Sequence, residues 1–166
     1  MKIQSIIVMS LVLSLAGGCS KTDTASSTNT PKAATAHHEH KPPHGGAPVE
    51  LGEEEYHVEF VTERGSGILR AFVMDGELEN FVRIEAPALE VTAKLPEKEE
   101  ILILKPVPNS ATGETVGNTS LFEGQADWLK TTTNFDAVLK QISVKTKTYT
   151  NVIFNFPKGS DEGAKK

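Results

Sequence analysis

The sequence predicts an all-β protein built of antiparallel strands, and three observations carry that prediction. Beyond Gly46 the chain runs in short stretches of alternating apolar and polar residues, as in Leu89-Glu90-Val91-Thr92-Ala93-Lys94-Leu95, which gives a strand one core face and one wet face. Turn formers separate these stretches at Glu63-Arg64-Gly65-Ser66-Gly67, Asp75-Gly76, Pro96-Glu97-Lys98 and from Asn109 to Asn118. Apolar residues at helical spacing are scarce, so nothing is available to cover the faces of a parallel sheet.

The elements follow in chain order. Lys2 precedes an apolar run from Ile6 to Ala16 and the small residues Gly17 and Gly18, the pattern of an export signal over residues 1–18. The run is shorter than the about 20 apolar residues that a spanning helix requires. It ends at Cys19, the single cysteine of the chain. The segment Leu15-Ala16-Gly17-Gly18-Cys19 resembles a bacterial lipobox, with Leu15 one position further from the cysteine than is usual. That resemblance implies cleavage before Cys19, lipidation of Cys19 and a lipid anchor in the cell envelope. Ser20 stands where an aspartate favours retention in the inner membrane, so the periplasmic side of the outer membrane is the expected location.

From Ser20 to Pro43 no aliphatic residue larger than alanine occurs, and such a stretch buries too little apolar surface to offset the entropy of ordering it. Residues 19–43 are therefore expected to form a disordered tether, which as a coil spans on the order of 25 to 30 Å. The domain proper is expected over 44–157. Its candidate strands are Pro48 to Leu51, Tyr56 to Thr62, Gly67 to Met74, Asn80 to Glu85, Leu89 to Leu95, Glu100 to Val107, Ser120 to Glu123, Ala137 to Thr148 and Asn151 to Phe156. Seven to nine such strands without helices point to an immunoglobulin-like antiparallel β-sandwich. Within it, Ile101-Leu102-Ile103-Leu104 reads as a strand buried on both faces. Asp127-Trp128-Leu129 reads as a short helical or edge segment, with Trp128 plugging the core. A polar tail, 158–166, is expected to fray.

All five histidines lie between His37 and His57, in HHEHKPPHGGAPVELGEEEYH. Neutral imidazole is the commonest protein ligand for borderline transition metals, and short His-rich tracts are assigned to metal binding on that ground. His37, His38 and His40 lie on the tether, and His44 at its junction with the domain. In the strand that follows, Glu55, His57 and Glu59 alternate with Tyr56, Val58 and Phe60, so a carboxylate, an imidazole and a carboxylate share one face. They form a second-rank set of ligands. The bland alternative is a hydrophilic linker rich in histidine and the solvated face of a strand. With Cys19 consumed by lipidation, only nitrogen and oxygen donors remain beside Met74, which suits Zn²⁺ or Cu²⁺. Imidazole must be neutral to bind, so capture should fade in mildly acidic medium.

The run HEHKPPHGGAPVELG, then YHVEFV, then ILRAFVMDGELENFVRI resembles small exported β-rich bacterial proteins whose His-rich segment ends in His-Gly-Gly. It is also similar to the His-Gly-Gly-led N-terminal domain of periplasmic adaptor subunits in heavy-metal efflux systems. The resemblance covers about Glu39 to Glu85 and rests on His44, Gly45 and Gly46. It implies metal handling in the periplasm alongside an efflux system. The coiled-coil hairpin and lipoyl-like parts of an adaptor have no counterpart here.

Other classes fit less well. Acidic residues exceed basic ones, 22 against 17, which argues against a nucleic-acid partner. His-Gly-Gly also opens the oxyanion segment of some esterases, but Gly65-Ser66-Gly67 in a β-turn is no nucleophile elbow, so the chain is not read as an enzyme. A scaffold lipoprotein with incidental histidines remains the alternative, and histidine-to-alanine changes would leave its fold and partner intact.

Overall fold

In the computed structural model, residues 41–160 are described; the signal, Cys19, His37, His38, His40 and the tail from 161 lie outside the described residues. The elements in order are β1 (Ala47–Leu51), β2 (Tyr56–Glu63), β3 (Ile68–Asp75), β4 (Leu89–Lys94), β5 (Glu99–Pro106), β6 (Leu121–Gln125), a short 3-10 helix (Asp127–Lys130), β7 (Phe135–Val144) and β8 (Lys147–Phe156). The fold is all-β and antiparallel, as the alternating pattern requires. The strands hydrogen-bond in the order β1-β2-β3-β6-β5-β4-β7-β8, so the two layers join through β5 and β6 into one curled sheet.

The curl is nearly closed. Phe60 from β2 stacks on Phe154 from β8 inside it, with ring centroids 4.4 Å apart. At the open seam the Ser160 N–H donates to the Pro48 carbonyl at 3.0 Å, and the Glu50 N–H donates to Ser160 Oγ at 2.7 Å. The tail expected to fray from Lys158 is therefore fastened to β1 as far as Ser160. Those two bonds satisfy backbone groups that the edge of β1 would otherwise present to solvent. Where the layers join, β5 and β6 share only the pairs Lys105↔Glu123 and Pro106↔Phe122. A side chain on Gly124 would meet Leu104 Cδ2 at 2.6 Å and the Ile103 carbonyl at 2.8 Å, so glycine lets the sheet fold over itself at this corner.

Inward-facing residues alternate as read from the sequence. Val49, Val58, Phe60, Leu69, Val73, Val91, Leu104, Phe122, Leu139 and Phe154 are buried in one core, and every buried hydrophobic residue of that cluster lies between Ala47 and Phe156. A chain starting at Ser20 thus keeps the whole of it.

Four expectations are corrected. Ile101 and Ile103 are 64% and 45% exposed; β5 is buried on the Leu102 and Leu104 face alone, so an unbroken apolar run did not mean two covered faces. Residues 80–85 form no strand of their own: Met74 bridges Phe81 and Ile84 bridges Thr119 as isolated pairs, so the segment changes partner after two residues and never builds a ladder. Trp128 is half-buried and meets Phe135 edge-on at 5.0 Å, whereas its neighbour Leu129 is the fully buried plug. The last hairpin turns at Lys145 and not after Thr148. Lys145 takes a positive φ of 53°, a turn conformation that a lysine does not advertise in the sequence.

Beside that hairpin, the Tyr149 hydroxyl donates to Glu55 Oε2 at 2.8 Å, and Lys147 pairs with the other oxygen of the same carboxylate. Burial, followed by the hydrogen bond to Glu55 and its charge, pushes the Tyr149 phenol up to about 12. The folded state thus holds the proton more tightly than the unfolded one. The contribution is complete below the ordinary phenol value of about 10 and is lost as pH rises through the folded value. An ultraviolet titration should show a tyrosinate phase at about pH 12 that Tyr149→Phe removes and Glu55→Gln moves downward. An unmoved phase in Glu55→Gln would detach the phenol from that carboxylate.

Candidate functional site

Strand β2 lies between β1 and β3, and its alternation turns Val58 and Phe60 into the core. His57 and Glu59 face the other way. Their cross-strand partners are Glu50 and Met74 for His57, and Pro48 and Phe72 for Glu59. An outward strand face is ordinarily wet, yet His57 is 3% exposed and Glu59 is 0% exposed. The outer face of the sheet is covered around these two residues. The segment leading into β1 folds back across it, opening with a turn in which the Gly45 N–H donates to the Pro42 carbonyl at 3.1 Å. The loop after β3 returns alongside, with Asp75 N–H bonded to the Asn80 carbonyl and Val82 N–H to the Val73 carbonyl, each at 2.9 Å.

The Glu59 carboxylate organises the fold-back. Its Oε1 accepts the backbone N–H groups of His44 and Gly46, both at 2.9 Å, and its Oε2 lies 2.7 Å from His44 Nδ1. Three donors around one buried carboxylate satisfy the group that burial would otherwise penalise. The His44 ring lies flat on Phe72, with centroids 4.0 Å apart and planes within 11°, and Phe81 flanks it at 5.9 Å. The imidazole is therefore fixed by hydrogen bonding at one edge and by stacking on one face, with its side chain 35% exposed. Gly46 makes the fold-back possible: a side chain there would stand 2.4 Å from the Phe60 carbonyl.

A carboxylate accepts and does not donate, so the neutral imidazole facing Glu59 carries its proton on Nδ1 and its lone pair on Nε2. A carboxylate behind an imidazole fixes the tautomer and the ring orientation. The arrangement suits one ligand to a divalent metal. Among the described residues, no group of three or more His, Cys, Asp or Glu is placed to hold a metal ion, and His37, His38 and His40 lie outside the described residues.

The second-rank residues are placed differently from the expected ladder. Glu55 lies in the turn between β1 and β2, before the strand begins, and its carboxyl is held below its usual value first by the hydrogen bond from Lys147 and then by that from Tyr149. His57 is buried on β2. Glu59 is engaged with His44 and Gly46, which makes it a positioning group behind His44. Sequence reasoning missed Phe72 and Phe81 as the platform for His44. The apolar run Ala71-Phe72-Val73-Met74 places Phe72 and Met74 on the outer face of β3, but, as at Ile101 to Leu104, a run of this kind does not by itself say what covers that face.

No protein-family model, curated protein or solved structure matches this chain.

Proposed function

We propose that this protein binds divalent zinc or copper at the cell envelope through His37, His38, His40 and His44, with Cys19 as its lipid anchor. The observation that carries the reading is the buried Glu59 carboxylate bonded to His44 Nδ1 at 2.7 Å, which leaves Nε2 as the ligand nitrogen on a pre-oriented ring. The three tether histidines end four residues before it, within about 14 Å of extended chain. A segment of the composition of 19–43, expected from its sequence to be disordered, would be ordered only on binding, which fits buffering or delivery to an efflux system better than a permanent structural ion. Glu59 acts through His44. Neither Glu55, engaged by Lys147 and Tyr149, nor the buried His57 belongs to the primary set.

Calorimetric titration of Zn²⁺ and Cu²⁺ into residues 20–166 tests this reading. Stoichiometric binding is expected, with Cu²⁺ the tighter by the Irving–Williams order, and it should weaken at about pH 5.5 as imidazoles protonate. A variant with His37, His38, His40 and His44 changed to alanine should lose it while retaining the buried His57 and the fold. Equal weak heats from both proteins would leave a scaffold role, for which the exposed Ile101 and Ile103 are the structural argument.

A further inference from the structure

The outward face of the other half of the sheet carries a row of three aliphatic residues and one threonine between charged rows. Reading across four strands, Ile101 on β5 pairs with Thr92 on β4, Thr92 with Val138 on β7, and Val138 with Ile153 on β8. The row is continuous, and its two ends, Ile101 and Ile153, are 64% and 63% exposed. Isolated exposed aliphatics are ordinary, but a directly paired row across a sheet is a contact feature. Charges flank it on both sides. One step along the strands, Lys94 on β4 pairs with Asp136 on β7. One step the other way, Glu90 pairs with Ile103 on β5. Lys140 follows Leu139, the partner of Val91, and so stands beside Glu90 on the same face; both border one groove.

We infer that this face joins two copies of the chain about a two-fold axis running parallel to the strands, between β4 and β7. Such an axis keeps each row at its own level and reverses its order, so β4 of one copy faces β7 of the other, and β5 faces β8. Ile101 then meets Ile153 of the copy, and Thr92 meets Val138. Lys94 meets Asp136, and Glu90 meets Lys140. Each charged pairing is of opposite sign and occurs twice, as an isologous interface requires. Complementary rims of this kind fix register and suppress other arrangements. A like-signed pair at either level would have excluded this axis. Four strands about 4.8 Å apart and three rows about 6.8 Å apart give a face of roughly 400 Å² on each copy, smaller than the about 800 Å² of a standard interface, so the dimer is reversible and concentration-dependent. This inference stands independently of metal binding by His44, which lies on the outer face of β1, β2 and β3.

Sedimentation equilibrium of residues 20–166, from micromolar to near-millimolar concentration, reads the association directly. The wild-type chain should pass from monomer to dimer. Glu90→Lys and Lys140→Glu each place like charges across the axis twice and should raise the dissociation constant by about tenfold or more. The double variant Glu90→Lys/Lys140→Glu restores opposite signs and should return to within about threefold of wild type. Melting curves on the same samples separate a lost interface from a lost fold. A wild-type chain that stays monomeric throughout overturns the inference. So does a dimer indifferent to both reversals, or one that both weaken without rescue in the double variant. Binding of the monomer to phosphatidylglycerol vesicles that Ile101→Asn abolishes would assign the face to lipid and likewise overturn it.

Discussion

Glu59→Ala should destabilise the domain by about 3 kcal/mol in urea unfolding, a large loss for one solvent-inaccessible side chain. Removing the carboxylate takes the partner from the His44 and Gly46 N–H groups and from His44 Nδ1 together. An orphaned buried donor costs about 1 to 3 kcal/mol, but the segment before β1 can lift off and meet water, so the losses do not simply add. What remains is the surface that the segment covered, above all the Phe72 ring beneath His44. Glu59→Gln should fall between the two proteins: its amide oxygen still accepts from the backbone donors, but its NH₂ then faces Nδ1, where a donor opposes the proton carried there. Hydrogen exchange at the His44 and Gly46 amides should rise in step with the loss of stability. A Glu59→Ala protein as stable as wild type, with those amides still protected, would show that the carboxylate does not hold the segment.

The same substitutions separate positioning from ligation. If Glu59 acts only through His44, Glu59→Gln should weaken Zn²⁺ binding by about 10- to 100-fold, the usual effect of removing the group behind a metal-bound imidazole, without changing stoichiometry. His44→Ala should lower affinity at least as far. Combining the two should then cost little more than His44→Ala alone, since a group acting through an absent ring has nothing left to orient.

The strands were legible because each inward position is marked by its own side chain, as in Leu89, Val91 and Ala93. The hairpin at Lys145 was not, since the residue adopting the positive φ carries no turn chemistry and the apolar pattern continues past it. The site was half legible. His44 and its glycines stood out as a motif, and alternation placed His57 and Glu59 on one face. Alternation does not say whether a face is wet, however, and here it is dry because a segment distant by 15 residues folds over it. Alternation alone offered Glu59 as a metal ligand, whereas its burial and its three bonds depend on that fold-back. The charge pairing on the opposite half was invisible for a similar reason: it depends on the registers of β4, β5, β7 and β8 together, and no one stretch of sequence contains them.

Gly46→Ala should be the most disruptive single-methyl addition in the His-Gly-Gly motif, destabilising by about 3 kcal/mol, at the upper end of overpacking effects. The added Cβ would lie 2.4 Å from the Phe60 carbonyl, 2.7 Å from Val61 Cγ2 and 3.0 Å from Glu59 Cγ. Two of those three atoms belong to side chains of β2, but the nearest is backbone in a paired strand and cannot swing aside. The segment must move instead, which lengthens the Gly46 N–H bond to Glu59 and draws His44 off Phe72. Gly45→Ala provides the contrast. Gly45 has φ +68° and no atom within 4 Å of an added Cβ, so only the left-handed conformation is penalised, at about 1 kcal/mol. Urea unfolding of the two variants should thus separate them by about 2 kcal/mol, and metal affinity should fall further in Gly46→Ala because that change displaces the ring itself. Equal stabilities would mean that the motif's second glycine is there for backbone freedom alone, and the close approach to β2 would lose its role in setting His44 against Glu59.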